Sequence, residues 1–299
     1  MTGVIVVNKD KEFTSFDVVA VMRGICKTKK IGHTGTLDPM ATGVLPVLLG
    51  SATKACDLIP DSDKAYQAEF KIGLKTTTGD IWGEVKEEKE TQLSFEDINN
   101  ILDNFRGEIF QIPPMYSAVS VGGQRLYKLA RQGIEVEREK RKIFISELNL
   151  LDFDGEKGNL YIKCSKGTYI RTLIEDIAES LGALATMTNL TRTEACGFSE
   201  KDALSLDELR VLMKENKLET VLRETETLFE IYPVVNVSEA QEKRFSNGGF
   251  LSIARLSDIK TEVKNGDVFR VHGSHVYRSA FLGLGIVEEE NLKFLKKFI

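Results

Sequence analysis

The chain has 299 residues, and its 40 Lys and Arg against 45 Asp and Glu leave a formal charge of −5. A composition of 42% hydrophobic and 28% charged residues excludes wholesale disorder, and the length favours two domains over one. No apolar run approaches the ~18–20 residues that cross a bilayer, and the acidic balance argues against nonspecific coating of nucleic acid while leaving room for a local basic face.

Gly3–Val7 reads as a short buried strand. Thr14-Ser15-Phe16-Asp17 has the form of a capping box, with Phe16, Val19, Met22 and Val18, Val21, Ile25 at helical spacing behind it. Tyr66–Ile72 is strand-like, and Ser94 opens a second helix with Ile98, Ile101, Leu102 and Phe105 on one face and Gly107 as its stop. Lys142–Leu151 is again strand-like, Leu160, Ile162 and Cys164 alternate as in a strand, and Ile170, Leu173, Ile174, Ile177 and Leu181 trace a helix closed by Gly182. Ser205–Leu228 reads as helical and acidic. Beyond Ile231-Tyr232-Pro233 come short strand-like pieces, Asp267–His272 among them, punctuated by Asn247-Gly248-Gly249, Asn265-Gly266-Asp267 and Gly283-Leu284-Gly285. The pattern is that of a mixed α+β body over residues 1–231 and a small β-rich domain over 232–299.

Charge is unevenly placed. Val121–Lys142 carries seven basic residues against three acidic, a net +4, with Gly122, Gly123 and Gly133 to loosen it; Glu84–Asp103 carries seven acids against two lysines. The first window reads either as a charged surface helix or as a mobile arm. The cysteines, Cys26, Cys56, Cys164 and Cys196, form no C-x-x-C pair, and His272 and His275 have no ligand cluster beside them, so neither a metal site nor a disulfide framework is expected. Met1–Asp10 carries no basic leader, and a cytoplasmic location is the expectation.

The stretch Lys30–Pro46 is the most informative. It has few charges, three turn-forming glycines (Gly32, Gly35, Gly43), and one carboxylate, Asp38, which Pro39 biases toward an extended or turn geometry. On local grounds Asp38 is a residue capping its own turn. It belongs to no P-loop, for the terminal G-K-[ST] is missing, and to no hydrolytic triad, for no G-x-S-x-G is present.

Gly32-His33-Thr34-Gly35-Thr36-Leu37-Asp38-Pro39, continuing through Ala41-Thr42-Gly43-Val44-Leu45-Pro46, resembles the catalytic motif of TruB-type tRNA pseudouridine synthases. Further elements of that family follow in order: Asp63-Lys64-Ala65-Tyr66 resembles its K-x-Y, Gly167-Thr168-Tyr169-Ile170-Arg171 its G-T-Y-I-R, and Leu190-Thr191-Arg192 its L-x-R. Residues of about 113–142 look like its mobile RNA-binding insertion, and the tail is similar, more loosely, to a PUA domain. Val44 departs conservatively from the larger apolar residues common in the family.

The resemblance implies a mainly antiparallel mixed sheet and an isomerisation that breaks the uridine N1–C1′ bond and joins C5 to C1′, with no cofactor and no metal. It implies Asp38 as the catalytic residue, whether by attack on C1′, addition to the ring or removal of the C2′ proton. Arg171 then holds the Asp38 charge, where an arbitrary arginine would be an exposed helix ion pair. Tyr66 stacks on the flipped base, where an arbitrary strand tyrosine would be core packing, and Leu190 walls the pocket beside Tyr169. His33, otherwise a turn residue, fills the gap left by the extruded base. Lys9, Arg125, Lys128, Arg131 and Arg141 are candidate phosphate contacts. The implied partner is the T stem-loop of tRNA at uridine 55, bound by a monomer without guide RNA, membrane or obligate protein partner. The rival functions are an RNA chaperone whose catalysis is dispensable and a guide-dependent synthase of ribosomal RNA.

Overall fold

The computed structural model describes residues 1–60, 63–259, 263–275 and 278–298. The chain opens with β1 (Gly3–Lys9), α1 (Ser15–Cys26), β2 (Ile31–His33), β3 (Thr42–Leu49) and β4 (Lys64–Ile72). A hairpin of β5 (Leu74–Thr76) and β6 (Val85–Glu88) leads to α2 (Phe95–Ile101) and β7 (Gly107–Gln111). A second, minimal hairpin, β8 (Ser120–Val121) and β9 (Gln124–Arg125), precedes α3 (Leu126–Ala130). Then come β10 (Arg141–Phe153), β11 (Lys157–Cys164), α4 (Ile170–Ser180), β12 (Ala185–Ala195), β13 (Phe198–Ser199) and α5 (Leu206–Lys214). The last part holds β14 (Val234–Val237), α6 (Glu239–Ser246), β15 (Leu251–Ser252), β16 (Val268–His275), β17 (Arg278–Glu288) and β18 (Asn291–Lys297).

The main sheet runs β1-β3-β12-β4-β11-β10-β7, with β2 on β3 and β13 on β12. Its pairs are antiparallel except β3 with β12, where Thr42 faces Thr191 and Gly43 faces Arg192. This mixed, mainly antiparallel α+β body is the fold class expected from the sequence. Period-two alternation sets its faces: on β4, Tyr66, Ala68, Phe70 and Ile72 are buried while Gln67 and Glu69 are exposed. The inward set packs beneath α1, α2, α4 and α5 through Val18, Met22, Ile98, Leu173, Ile174, Ile177 and Leu209. At β1 and β3 the opposite face is buried too, because Val4, Val6, Val44 and Leu48 meet Leu284 and Phe298 of a five-stranded sheet ordered β14-β16-β17-β18-β15. That double burial explains the unbroken apolar run at the start of the chain.

Several expectations need correction. The capping box forms as read, Thr14 and Asp17 exchanging hydrogen bonds, but Phe16 is 72% exposed and belongs to no core. The 205–228 region is not one helix: α5 ends at Lys214, Asn216 takes a left-handed φ of 56°, and two separate 3-10 turns follow at Leu218–Val221 and Thr225–Phe229. Gly283-Leu284-Gly285 is not a turn but the middle of β17, where a Cβ on Gly283 would sit 2.1 Å from the Lys296 carbonyl oxygen. Among the described residues no helix is long and apolar enough to cross a membrane.

Candidate active site

Three separate segments meet at the guanidinium of Arg171, the second residue of α4. Its Nε lies 3.0 Å from Asp38 Oδ2 and its Nη1 3.6 Å from Asp80 Oδ2. Nη1 also donates to the Thr78 carbonyl at 2.6 Å and Nη2 to the Tyr116 carbonyl at 3.0 Å. The Arg171 side chain is only 7% exposed, whereas that of Asp38 is 34% exposed. A buried, fully occupied arginine therefore presents a partly exposed carboxylate, a geometry far from the weak exposed ion pair of an arbitrary helix arginine. Asp80 was not singled out in the sequence. Its Oδ1 accepts from Thr78 Oγ1 at 2.8 Å and from the Trp82 amide at 3.1 Å, so it fixes the 78–82 turn as well as Arg171.

The loop bearing Asp38 is held from below. Ser15 Oγ accepts from the Leu37 amide at 2.8 Å and faces the Leu37 carbonyl at 3.2 Å, tying α1 to the residue before Asp38. Lys9 has no exposed surface, and its ammonium donates to the Asp10, Phe13 and Pro39 carbonyls at 2.9, 2.6 and 3.4 Å. Its expected role as a phosphate contact does not fit this placement; it braces the turn at Pro39 from inside. Burial lowers its pKa to about 8 against the opposing pull of Asp38 and Asp10. Gly43, at φ +100°, lets β3 pass β12: a Cβ there would lie 2.2 Å from the Arg192 carbonyl oxygen.

Arg192, quoted as part of a motif but assigned no role, is fully buried on the same face of β12 as Leu190. Its Nε donates to the Val44 carbonyl at 2.7 Å and its Nη2 to that of Gly35 at 3.2 Å, stitching both ends of the Asp38 loop to β12. In register, Arg192 faces Tyr66 and Leu190 faces Ala68, so Tyr66 and Leu190 come to one wall. Burial pushes the Tyr66 phenol up to about 12, with Arg192 opposing, which keeps it neutral over the working range. For Asp38 burial raises the pKa above the ordinary carboxylate value; Arg171 opposes the rise, Asp80 adds to it and Lys9 opposes it. The carboxylate is thus more basic than a free aspartate, a point the reference value alone does not give.

His33 lies in β2 with its ring edge-on to Phe16, centroids 5.8 Å apart and planes at 86°. Burial and the charge of Arg192 lower its pKa, with the Gly35 backbone opposing, so the ring is neutral at pH 7. Tyr169 caps α4 and its backbone is clamped by Gln111, whose amide accepts from the Tyr169 N–H at 2.8 Å and donates to its carbonyl at 3.0 Å. Arg125, Lys128, Arg131 and Arg141 are all exposed on the 113–142 segment, whose Tyr116 carbonyl meets Arg171, and no hydrogen bond or salt bridge ties these four to Asp38. There Leu126 is buried, Arg125 donates to the Ala118 carbonyl, and Arg131 lies over the Tyr127 ring at 5.6 Å.

The TruB family pseudouridylate synthase (N terminal domain) model matches residues 23–170, and the tRNA pseudouridylate synthase B C-terminal domain model matches 171–230. The chain belongs to the TruB family. Relatives named tRNA pseudouridine synthase B include that of Clostridium tetani, 42% identical over the full length of both chains, and that of Clostridium kluyveri, 40% identical over the same extent. Among solved structures, a chain of a Cbf5-Nop10-Gar1 complex superposes with a TM-score of 0.76 at 24% identity, covering 99% of this chain and 85% of that one. A chain of an H/ACA RNP bound to a substrate RNA containing 2′-deoxyuridine gives 0.74 at 22% identity, with the same coverage. These structural likenesses concern the fold. Membership makes the chain a pseudouridine synthase, an isomerase, and places the TruB models over the body that holds Asp38, Arg171 and Arg192, ahead of the five-stranded sheet.

Proposed function

We propose that the chain isomerises uridine 55 in the T loop of tRNA to pseudouridine, with Asp38 as the catalytic group. The observation that carries this reading is the Asp38 carboxylate, presented one-third exposed on a buried arginine at 3.0 Å in a chain of this family. The uridine leaves the RNA stack to reach the cleft. The N1–C1′ bond breaks, the uracil turns, C5 joins C1′, and the C5 proton is released while N1 takes one up. No electron is exchanged, so the balance needs neither redox cofactor nor metal. Asp38 supplies the anionic oxygen, Arg171 orients it, and Leu190 and the neutral phenol of Tyr66 bound the base. His33 fills the space the base vacates, and Arg125, Lys128, Arg131 and Arg141 on the 113–142 insertion meet phosphates. Residues 232–299 act as a PUA-like RNA-binding domain on the 1–231 catalytic body, in a cytoplasmic, monomeric enzyme that needs no guide.

The test is tritium release from a bare tRNA transcript labelled at C5 of uridine. Turnover by the wild type without added RNA or protein, abolished in Asp38→Asn and in a transcript lacking uridine 55, is the expected result. Turnover only with an added guide, or unchanged release by Asp38→Asn, overturns the reading.

A further inference from the structure

We infer that the outer face of α1 and the turn that follows it form a second RNA track, distinct from the 113–142 insertion and continuous with His33. This rests on the tRNA reading above and extends it to the path the RNA backbone takes.

Phe16, Ala20 and Arg23 lie at i, i+4 and i+7 of α1, and all three are exposed. Lys27 continues the stripe as the left-handed C-cap, at φ 49°. At about 1.5 Å per residue, Phe16 and Lys27 stand roughly 16 Å apart along the helix, a reach of two to three phosphates on an RNA strand. Beyond the cap, Lys29 and Lys30 are exposed on the turn that enters β2. Arg23–Lys30 therefore holds four cations and no acid in eight residues, a denser positive charge than the insertion, which needs 22 residues for the same net +4.

In and around the insertion two of the seven cations are paired, Arg138 with Glu135 and Lys142 with Glu108, and the other five make no salt bridge among the described residues. Among the described residues Arg23, Lys27, Lys29 and Lys30 make no salt bridge. Cations near a helix C-terminus are also favoured by its dipole, which accounts for Arg23 and Lys27 but not for Lys29 and Lys30 beyond the end.

The aromatic end supplies the second, independent observation. Phe16 presents an open ring beside His33, and Ser15, its neighbour, is bonded on both sides of Leu37, the residue before Asp38. Phe16 is thus held in fixed relation to the reacting carboxylate. An exposed phenyl ring packed on the half-buried His33, leading onto an unpaired cationic stripe, matches a strand whose unstacked bases meet rings and whose phosphates meet ammonium and guanidinium groups. A face of another protein would need acidic residues to match the stripe and would leave the aromatic pair without a role in catalysis.

The experiment measures Kd for a T stem-loop RNA as a function of salt, together with single-turnover rates, on the full chain. Arg23→Gln/Lys29→Gln/Lys30→Gln leaves the left-handed Lys27 cap and all core residues in place. The expected result is a fall of about 2 in the slope of log Kd against log salt, a Kd at least tenfold weaker near 0.1 M salt, and an unchanged rate at saturating enzyme. Phe16→Ala is expected to weaken binding several-fold with the salt slope unchanged, and Phe16→Tyr to restore it. A triple variant with wild-type slope and Kd overturns the track, as does a loss of rate at saturation with affinity intact. Lys29→Glu/Lys30→Glu, confined to the turn, repeats the measurement without touching the helix. Wild-type turnover of the same RNA separates this inference from the parent reading: if that turnover is absent, the substrate assignment fails first.

Discussion

Burial and the neighbouring Asp80 raise the pKa of Asp38 against the pull of Arg171, so the single-turnover rate should fall on acidification at a pH above the ~3.9 of a free aspartate. Arg171→Gln removes the main opposing charge and is expected to move that acid limb further upward while slowing the plateau rate by tenfold or more. A limb left in place by the substitution would show that Arg171 does not control Asp38. The sign for stability is opposite to that of a salt-bridged carboxylate with a depressed pKa: here the folded state holds the proton more tightly than the unfolded chain. The charged Asp38 therefore costs stability above its raised folded pKa, and that cost is relieved as pH falls through it toward the ~3.9 of the unfolded chain, so Asp38→Asn should leave Tm at pH 7 unchanged or higher, by thermal unfolding. Asp80→Asn keeps the oxygen that accepts from Thr78 and Trp82 but removes the charge facing Arg171; turnover should drop tenfold or more with RNA affinity little changed. Lys9→Met should reduce turnover through the loosened Pro39 turn without altering the salt dependence of RNA binding, since the ammonium it removes has no exposed surface. The pairing of Asp38 with Arg171 was legible because both lie in motifs with a recognisable order. Asp80 was not, because nothing in the residues around it signals a partner at position 171. Arg192 had a readable signal, its buried parity with Leu190 on β12, although buried arginines are rare enough that the parity alone invites a different assignment.

At the level of elements, the loop that carries Asp38 is positioned by what surrounds it rather than by its own hydrogen bonds. β3 must cross within contact of the Arg192 backbone, and only a residue without a side chain fits at position 43. Gly43→Ala combines that clash with a φ of +100°, and a loss of about 3 kcal/mol or more is expected by urea denaturation. The strands and α4 were readable from periodicity, since their buried faces repeat at two or near 3.6 residues. β2 and β3 were hidden inside a glycine- and proline-containing stretch that reads as loop, and β3 carries Pro46. It is accommodated in pairing with Val6, while its carbonyl accepts from Thr34. Phe16 misled for a related reason: apolar spacing alone cannot distinguish a ring turned into the core from one turned to solvent.

Across the whole molecule, the five-stranded sheet is less separable than a boundary near Ile231 suggests. Phe229 stacks with Tyr232 and Phe298, and Arg270 and His272 both reach Glu226 at 2.9 and 2.6 Å. Ending the chain at Ile231 strips Leu284 and Phe298 from the cluster they share with Val4, Val6, Val44 and Leu48. Such a truncation should lower Tm by several degrees and bind a hydrophobic dye, where an autonomous affinity module would leave the body's unfolding unchanged. The formal charge of −5 proves to be an average over unlike surfaces: seven acids crowd 84–103, while cations gather on 23–30 and 121–142.

The contact between Phe298 and the sheet at Val4 and Val44 has a bearing on how the chain folds. β1 and β3 share that face with Ala52, Ala55, Phe198 and Phe229 as well, but the cluster is complete only when Leu284 of β17 and Phe298 join it. The strand that continues from the Asp38 loop thus gains its full support only from residues about 240 positions further along the chain, and intermediates lacking that contact carry an unsatisfied apolar surface. Long-range closure of this kind slows folding, and it ties the strand behind the Asp38 loop to contacts of high sequence separation.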